Sequence, residues 1–566
     1  MRNLVSGPEA TVTTQAPRPD ATRIGVPYAV RATHSNRASP SPAEPTPFDP
    51  PFPTAAPLEV SPKQQLSIPY SSIDGSLIEK DELYVWTEVG QVAATITMSG
   101  KYDLVIVGGG ISGASLLYTT ATFTDIDSIA LIEKEDEIAA INSNHTNNSQ
   151  TLHFGDIETN YTLEKAREVK EGAEMLAGYL ENRDPDREMH DKRSKMVLGV
   201  GREEVAELER RYEGDGFGDL FPKLRSIGRE EIAEIEPKVV EGRDPDTELR
   251  ALQTPDGYVV DYGATTQSFV ELAREEAGVD VYTGTKVEDI TPTLDGYTIE
   301  TTDGRFDCEA TVVAAGSHSL QIAKELGYGE NKVLLPVAGS FFLGDDLLNG
   351  KVYTLQMKKL PFAAVHGDAD VHDPSITRFG PTAKLVPTLE RGRISTVTDF
   401  FDVFGLNAAA FLSYANVLSD RILLPYVLRN LLYDVPNVGP KQFLPHVQKV
   451  VPSVELDDIE RAKGYGGVRP QIVDTERKSL DMGEAKIVGD DIIFNITPSP
   501  GASTCLKNAR RDTLEVLEFL EGEYEFDEEA FRERTIEQFP RPEGIEEGDT
   551  DEDAGAPLEP SPADDD

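Results

Sequence analysis

Residues 102–113 read Tyr102-Asp103-Leu104-Val105-Ile106-Val107-Gly108-Gly109-Gly110-Ile111-Ser112-Gly113, which predicts a buried strand, a glycine turn and the start of a helix. A second strand and an acid follow at Ala130-Leu131-Ile132-Glu133-Lys134. Gly108 permits the tight turn, Gly110 lets backbone approach a pyrophosphate, and Gly113 lets the helix pack closely on the sheet. Glu133 lies where a carboxylate accepts hydrogen bonds from ribose hydroxyls. The pattern predicts a dinucleotide-binding βαβ unit, although a glycine-rich turn in another α/β domain would look similar.

The composition excludes several classes of protein. The chain has 566 residues, more than one compact core usually holds, so we expect at least two lobes. Its net charge of −46 argues against a nucleic-acid partner. Acids spread along the chain indicate a halophilic surface, with an ordinary acidic cytosolic protein as the alternative. The two cysteines, Cys308 and Cys505, form no disulfide framework and no metal pattern, so we predict a reducing compartment and no metal site.

Residues 1–97 differ from the rest, since they hold 14 of the 38 prolines and the only tryptophan, Trp86. They lack the basic start and long apolar run of a signal peptide. We expect Met98, just before the first strand, to be the true start and residues 1–97 to be upstream sequence; a disordered Pro-rich extension is the alternative. Residues 541–566 hold eleven acids and one base and are predicted to be disordered.

Three further segments carry small or polar residues that suit a bound cofactor. The stretch 143–155 follows the βαβ unit at the distance where two-domain flavoproteins pass the chain over the isoalloxazine ring. A buried strand over 311–315 ends where backbone is expected to pass near the cofactor. The loop 497–504 opens a helix whose N-terminus would stabilise negative charge on a flavin, although plain helix capping is the alternative. The residues assigned to cofactor binding in these segments are Ser143, Asn144, Asn147, Asn148, Gly316, Gly501, Ser503 and Thr504.

Over residues 101–520 the sequence resembles the malate:quinone oxidoreductases, which are membrane-associated, FAD-dependent malate dehydrogenases. The family's motifs occur in the family's order. Besides the Gly108 fingerprint they are Ser143-Asn144 through Asn147-Asn148, Asn160-Tyr161-Thr162, Glu236-Pro237, Glu241-Gly242-Arg243-Asp244-Pro245, Val260-Asp261-Tyr262-Gly263, Val365-His366-Gly367-Asp368, Phe379-Gly380-Pro381, Gly467-Val468-Arg469-Pro470-Gln471-Ile472 and Ser499-Pro500-Gly501-Ala502-Ser503-Thr504. The resemblance implies FAD as cofactor, oxidation of (S)-malate to oxaloacetate, and electron transfer to a membrane quinone.

The resemblance also implies an α/β fold, with a Rossmann-like FAD-binding domain and a discontinuous α+β substrate-binding domain. We expect the FAD-binding domain at 98–175, 261–332 and 461–525, and the substrate domain at 176–260 and 333–460. Within this frame, the helical spacing of apolar residues predicts a helix over 163–182, and strands are expected around 279–283 and 297–301.

Two motifs depart from the family's pattern near the expected substrate pocket. Gln150-Thr151-Leu152-His153 stands where the family usually has glycine-threonine-glycine-histidine, and Leu360-Pro361-Phe362-Ala363-Ala364 replaces a proline-rich run. Another 2-hydroxy acid, such as lactate or 2-hydroxyglutarate, therefore remains an alternative substrate. The alternative from a different class is a flavin-binding protein without turnover, against which the retained histidine, arginine and ordered motifs argue.

Oxidation of a 2-hydroxy acid defines the side chains that the site requires. A base must remove the hydroxyl proton while hydride passes to the flavin, and neutral histidine suits that task near pH 7. The substrate carboxylates need a fixed cation, for which arginine provides a bidentate fork. His366 and Arg469 match family motifs and are the first candidates, with His153 as the second candidate base.

The segment 400–433 is rich in aromatic and aliphatic residues. Because a quinone resides in a membrane, this segment is a candidate apolar face for the bilayer, with a lid or core helix pair as the alternative. No run of about 18 apolar residues occurs, so no segment is predicted to span the membrane. We expect a cytoplasmic protein attached peripherally to the inner face of the cell membrane.

Overall fold

The computed structural model divides the chain into two compact units. The described residues are 9–14, 67–69, 82–87, 90–276, 278–356, 365–404, 412, 414–416, 419, 423–477, 479–480, 485–497, 500–522 and 524–535. The units are residues 1–101 with 303–306, and the remainder of the chain. The predictions for the replaced run at 360–364 and for the tail at 541–566 lie outside the described residues.

The first unit contains short antiparallel strands. Glu9–Thr14 pairs with Ser67–Pro69, and both Glu9–Thr14 and Glu82–Thr87 pair with the beginning of the long strand Gly90–Val107. That Met98 is the true start stays a prediction.

In the second unit, a mainly parallel sheet carries the nucleotide-binding fingerprint. Residues 104–107 pair in parallel with Ile129–Ile132, which pairs in parallel with Val279–Tyr282. Residues 311–313 of the strand Gly304–Val313 run parallel to the strand Ile492–Ile496. Leu104, Val105 and Ile106 are all fully buried, as expected for a parallel strand covered on both faces. The helix Ile111–Phe123 follows the fingerprint turn, so the predicted βαβ unit is confirmed.

The second lobe of this unit is built from separated parts of the chain, as a discontinuous domain requires. Its eight-stranded sheet has the order Glu460–Arg461, Phe342–Asp345, Ile376–Gly380, His366–Ala369, Lys351–Thr354, His190–Val200, Leu249–Val260 and Arg225–Gly228. The pair between Lys351–Thr354 and His190–Val200 is parallel. A four-stranded sheet has the order Lys384–Leu385, Lys332–Ala338, Val468–Asp474 and Ser479–Leu480. The predicted α/β class is confirmed, whereas the domain boundaries stay predictions.

Helices pack against the parallel sheet and against the strands of the second lobe. Ile111–Phe123 packs against Tyr262–Ala273 and Cys505–Phe519, and Tyr118 stacks on Phe269 with 5.3 Å between ring centroids. The helix predicted at 163–182 is confirmed as Leu163–Arg183, and a strand forms at Tyr297–Thr301. The other α-helices among the described residues are Arg202–Glu209, Phe217–Leu220, Arg229–Ile235, Pro237–Val240, His318–Glu325, Val397–Phe404, Leu423–Tyr433, Gly439–Val450 and Glu528–Thr535. Residues Arg210–Gly214 form a π-helix, and the 3₁₀ turns are His145–Asn147, Ile394–Thr396 and Leu456–Asp458. The described strands not yet mentioned are Val287–Pro292 and Ala485–Val488. Within the described residues, no helix combines the length and apolarity needed to cross a bilayer.

Candidate active site

The fingerprint turn has the geometry that its glycines predict. Gly108 has φ of +113°, and a Cβ there would lie 2.5 Å from the carbonyl oxygen of Ala314. A Cβ on Gly113 would lie 1.9 Å from the carbonyl oxygen of Gly108. The helix begins at Ile111, and its N-cap residue, Gly110, has no side chain to block the approach of a ligand. A turn this close to a helix N-terminus suits a pyrophosphate.

Glu133 is held at the end of the neighbouring strand with both carboxylate oxygens engaged. Oε2 accepts a hydrogen bond from the backbone N–H of Gly109 at 2.6 Å, and Oε1 accepts one from Glu135 at 2.8 Å. Burial raises the pKa of Glu133. Each oxygen retains a lone pair for a ribose hydroxyl. The turn and its acid therefore fit the adenosine diphosphate half of FAD.

The loop after the βαβ unit is braced by its own side chains. Ser143 Oγ accepts a hydrogen bond from the N–H of Ile111 at 2.9 Å, which fixes the loop to the fingerprint helix. Asn144 caps the turn His145–Asn147 by accepting from the N–H of Thr146 at 3.1 Å. The amide groups of Asn147 and Asn148 donate to backbone carbonyls at residues 141 and 144. The asparagines thus give the loop its shape before any ligand binds.

A cavity lies between this loop and the strand Val468–Asp474. Of the residues assigned to the site from the sequence, those that line the cavity are Ser143, Asn147, Asn148, His153, Arg469, Gly501 and Ser503. Asn144, Gly316, Thr504 and His366 are not among its lining residues. Gly316 turns the chain after the strand Gly304–Val313 with φ of +60°.

In the loop before the helix Cys505–Phe519, the side chains of Ser503 and Thr504 bond to residues that line the cavity and do not cap the helix. Ser503 Oγ accepts a hydrogen bond from the N–H of His153 at 2.9 Å and lies 3.2 Å from Tyr262 Oη. Thr504 occupies the N-cap but makes no capping bond with its side chain. Its hydroxyl donates to the carbonyl of Gly501 instead. Simple capping therefore does not account for this serine and threonine.

His153 forms a dyad with a buried glutamate. Its Nδ1 lies 2.6 Å from Glu158 Oε1, and its Nε2 lies 3.5 Å from Ser149 Oγ. Although burial opposes ionisation of Glu158, its hydrogen bond to His153 and the charge of Lys195 hold the pKa of this carboxyl below its usual value. An ionised carboxylate on Nδ1 fixes the tautomer that leaves Nε2 as the acceptor.

Arg469 supplies positive charge to the cavity wall. Burial lowers its pKa, yet a guanidinium stays charged at neutral pH. Among the described residues, no carboxylate forms an ion pair with it. Its electrostatic neighbours are the phenols of Tyr161, Tyr353 and Tyr426. Burial raises the pKa of all three, to about 12 for Tyr426, so they remain neutral hydrogen-bond donors.

His366 lies in a different environment. Its ring is fully buried and stacks on Tyr353 with 4.1 Å between centroids, and its Nε2 lies 3.3 Å from Asp368 Oδ1. Burial opposes ionisation of Asp368, but Lys351, His366 and Arg378 hold the pKa of its carboxyl well below the usual value. The structure therefore brings His153 and Arg469 together at the cavity and leaves His366 in a buried ionic network behind it.

Sequence reasoning missed Glu158 and the three tyrosines. Tyr161 stands in a quoted motif, Asn160-Tyr161-Thr162, but carried no role there. Glu158 follows His153 by five residues in an irregular loop, where no periodic pattern connects a base with its partner. Tyr353 and Tyr426 come from distant segments, and only the fold unites them with Arg469.

The helix Leu423–Tyr433 turns an apolar face outward. Side chains that are 41–54% exposed lie at helical spacing and continue into the next turn; they are Leu424, Leu428, Leu431, Leu432, Val435 and Val438. In contrast, Phe400, Val403 and Phe404 of the preceding helix are buried in a core cluster. The described residues of the aromatic segment thus divide into a core part and an exposed part.

This exposed part is also basic, in contrast to the rest of the chain. The described residues 423–450 contain three bases and one acid, whereas the whole chain carries −46. The acid, Asp434, forms ion pairs with Lys384 and Arg461. Arg429 and Lys441 are exposed beside the leucines. The surface therefore combines apolar side chains with positive charge.

Comparison with known proteins identifies the class that this fold and site define. The profile of the family described as FAD dependent oxidoreductase matches residues 103–501. The FAD-bound L-alpha-glycerophosphate oxidase of Mycoplasma pneumoniae shares the fold, with a TM-score of 0.53 and 17% identity over 74% of this chain and 95% of that one.

Closer relatives narrow this class. A probable malate:quinone oxidoreductase of Campylobacter jejuni is 40% identical over 443 residues, covering 76% of this chain and 98% of its own. The malate:quinone oxidoreductase of Helicobacter pylori strain 26695 is 37% identical over 439 residues, covering 76% and 97%. The chain belongs to the malate:quinone oxidoreductase family of FAD dependent oxidoreductases, which confirms the resemblance and FAD as the cofactor.

Proposed function

We propose that this chain is an FAD-dependent enzyme that oxidises (S)-malate to oxaloacetate and delivers the electrons to a membrane quinone. The observation that carries this proposal is the cavity in which Arg469, without a carboxylate partner among the described residues, lies near the His153–Glu158 dyad. A cation and a base in one cavity match the two demands of a 2-hydroxy acid.

Arg469 binds a substrate carboxylate in this proposal. Its guanidinium offers parallel N–H donors. The neutral phenols of Tyr161, Tyr353 and Tyr426 surround the guanidinium outside the cavity lining. Because burial excludes competing water, each charged hydrogen bond is stronger than at the surface. This arrangement fixes the substrate's orientation.

His153 is the proposed base, ahead of His366. Its Nε2 takes the proton of the substrate hydroxyl, while Glu158 holds Nδ1–H and stabilises the imidazolium that results. Bound FAD supplies the two-electron acceptor for the hydride. His366 lines no part of the cavity, so we propose a positioning role for it, through its stacking contact with Tyr353.

The residues assigned to FAD form two groups, according to the part of the cofactor that each would contact. Gly108, Gly110, Gly113 and Glu133 would hold the pyrophosphate and ribose. The other proposed residues, near the ring system or shaping its surroundings, are Ser143, Asn144, Asn147, Asn148, Gly316, Gly501, Ser503 and Thr504. Among these, Ser143, Asn147, Asn148, Gly501 and Ser503 line the cavity.

Membrane attachment completes the proposed function. The exposed leucines on Leu423–Tyr433 would enter the acyl boundary, and Arg429 and Lys441 would pair with anionic headgroups. Apolar contact with local positive charge overcomes the repulsion that a chain of −46 otherwise meets at an anionic leaflet. We propose peripheral attachment to the cytoplasmic face of the cell membrane.

A quinone-reduction assay tests the function. Purified FAD-loaded protein is mixed with liposomes containing a quinone, and quinone reduction is followed with malate, lactate or 2-hydroxyglutarate. The proposal expects the highest kcat/KM with (S)-malate. A preference for another acid would support the alternative dehydrogenase, and reduction by none of them would support a flavin-binding protein without turnover.

A further inference from the structure

Three side chains with metal-ligating atoms converge beside the cavity, outside its lining residues. They are His145, Asp261 and His372, and their ligating atoms all lie within 4.8 Å of one another. His145 belongs to the 3₁₀ turn His145–Asn147, and Asp261 directly precedes the helix Tyr262–Ala273. His372 follows the strand His366–Ala369. Three separate segments therefore meet at one point.

Each group presents an atom to that point. Asp261 Oδ1 accepts the backbone N–H groups of Gly263 and Ala264 at 2.7 and 3.0 Å, which fixes the carboxylate. Its other oxygen, Oδ2, lies 2.8 Å from His372 Nε2. The rings of His145 and His372 are perpendicular, with 4.8 Å between centroids. The Asp261 side chain is buried, whereas that of His372 is 48% exposed, so the cluster opens to solvent on one side.

The spacing suits a tetrahedral cation. Metal–ligand distances of about 2.0–2.2 Å in a tetrahedral site place neighbouring ligand atoms about 3.3–3.6 Å apart. The separation of 2.8 Å between Asp261 and His372 is slightly shorter than this, and the upper bound of 4.8 Å is longer. Small rotations of the two exposed or half-buried imidazoles bring all three atoms to that distance, while the carboxylate stays in place.

The donor types select the ion. Two imidazoles and one carboxylate form a borderline nitrogen and oxygen set, which favours Zn²⁺ and related first-row divalent ions. Mg²⁺ and Ca²⁺ prefer sites made of oxygen ligands alone. Three protein ligands with an open side leave room for a water molecule as the fourth ligand.

We propose that His145, Asp261 and His372 form a binding site for a divalent transition ion, with Zn²⁺ as the ion of choice. The ion would join the segments that build one wall of the cavity. The turn that carries His145 also carries Asn147, which lines the cavity, and Tyr262 Oη donates to the carbonyl of Thr151 at 2.8 Å. This proposal departs from our prediction from the sequence that there is no metal site.

The test uses the FAD-loaded protein after treatment with a chelator. Zn²⁺ binding is measured by calorimetry, Co²⁺ binding by its visible absorbance, and the melting temperature with and without Zn²⁺. We expect one Zn²⁺ per chain, no comparable response to Mg²⁺, and a higher melting temperature with Zn²⁺. These readouts do not depend on malate turnover, so they separate this proposal from the proposed function.

Variants locate the ion. His145→Ala, His372→Ala and Asp261→Asn each remove one ligand, and the asparagine keeps an oxygen for the N–H groups of Gly263 and Ala264. Loss of groups that merely orient ligands costs about 10- to 100-fold in affinity, so loss of a ligand should cost at least that much. His446→Gln, which alters a histidine bonded to Tyr433, is the control and should bind Zn²⁺ normally. Absence of binding to the unaltered protein, or unchanged affinity in all three ligand variants, would overturn the proposal.

Discussion

Replacing Glu158 by glutamine tests the dyad most sharply. Glu158→Gln keeps the side chain's volume and an acceptor oxygen for His153 Nδ1, but it removes the negative charge. In the unaltered protein that oxygen lies 2.6 Å from Nδ1 and the carboxyl group is buried. The charge therefore acts on the imidazolium formed during proton removal far more than on the neutral ring that precedes it.

The size of the effect follows from the type of bond. A hydrogen bond to a charged group contributes about 1.5–3 kcal/mol, and each 1.36 kcal/mol changes a rate by about tenfold. Glu158→Gln should therefore lower kcat with malate by about 10- to 150-fold. KM should change little, because Arg469, the proposed carboxylate-binding residue, is untouched.

Steady-state kinetics with malate and a soluble electron acceptor measure both constants, with rates normalised to bound FAD. Glu168→Gln is the control, since this residue lies exposed on the helix Leu163–Arg183 and should leave both constants unchanged. A kcat within about threefold of the unaltered protein, at normal FAD content, would refute the assignment of the dyad.

Four further predictions concern the anion site, the membrane face, a buried carboxylate and the surface charge. Arg469→Lys keeps the charge but loses the fork, so it should raise KM for malate by about tenfold or more in initial-rate measurements; an unchanged KM would remove Arg469 from substrate binding. Leu428→Glu with Leu432→Glu should abolish liposome co-sedimentation while malate oxidation with a soluble acceptor persists. The control Leu514→Glu, at an exposed position of the helix Cys505–Phe519, should still sediment. Burial opposes ionisation of Glu390, but His318 and Lys134 lower its pKa to about 2. The ionised carboxylate therefore stabilises the fold above about pH 4.5, and this stabilisation is lost as the pH falls toward 2. The melting temperature of Glu390→Gln should lie below that of the unaltered protein at pH 7, and the difference should disappear on acidification. With a net charge of −46, the melting temperature should rise steeply toward molar KCl, where the screening length shrinks from about 10 Å to about 3 Å, and a flat response would contradict a halophilic surface.

The sequence predicts most strongly where backbone geometry restricts residue choice. At Gly108 and Gly113 a Cβ would collide with backbone, so the glycine spacing alone located the nucleotide turn. Glu133 followed from the same unit, and its carboxylate does bond the turn. The helix Leu163–Arg183 followed from apolar spacing, because one of its faces is buried.

The candidate site was harder to predict, because its members meet only through tertiary contacts. His153 and Glu158 lie in an irregular loop, and Arg469 reaches the cavity from the distant strand Val468–Asp474. A motif match favoured His366 as the base, yet a match in sequence does not reveal that a ring is stacked on Tyr353 away from the cavity. The cluster of His145 and His372 escaped notice for the same reason, since more than two hundred residues separate them.

The sequence also did not show whether the apolar face of the helix Leu423–Tyr433 is buried or exposed. Its sequence suits a core helix as well as a membrane-facing one, because both require apolar residues at helical spacing. Only the neighbours decide which stripe is covered. Here Val427 and Tyr433 are buried, while Leu428 and Leu432 are exposed.

Anaerobic reduction of the purified holoprotein tests the central claim most directly. The visible absorbance of bound FAD is followed after addition of (S)-malate, lactate or 2-hydroxyglutarate, with no quinone and no oxygen present. The account predicts that (S)-malate removes the oxidised absorbance fully and fastest, and that His153→Ala slows this step by about 100-fold or more. Absorbance that persists with malate, or that another acid removes faster, would contradict the account.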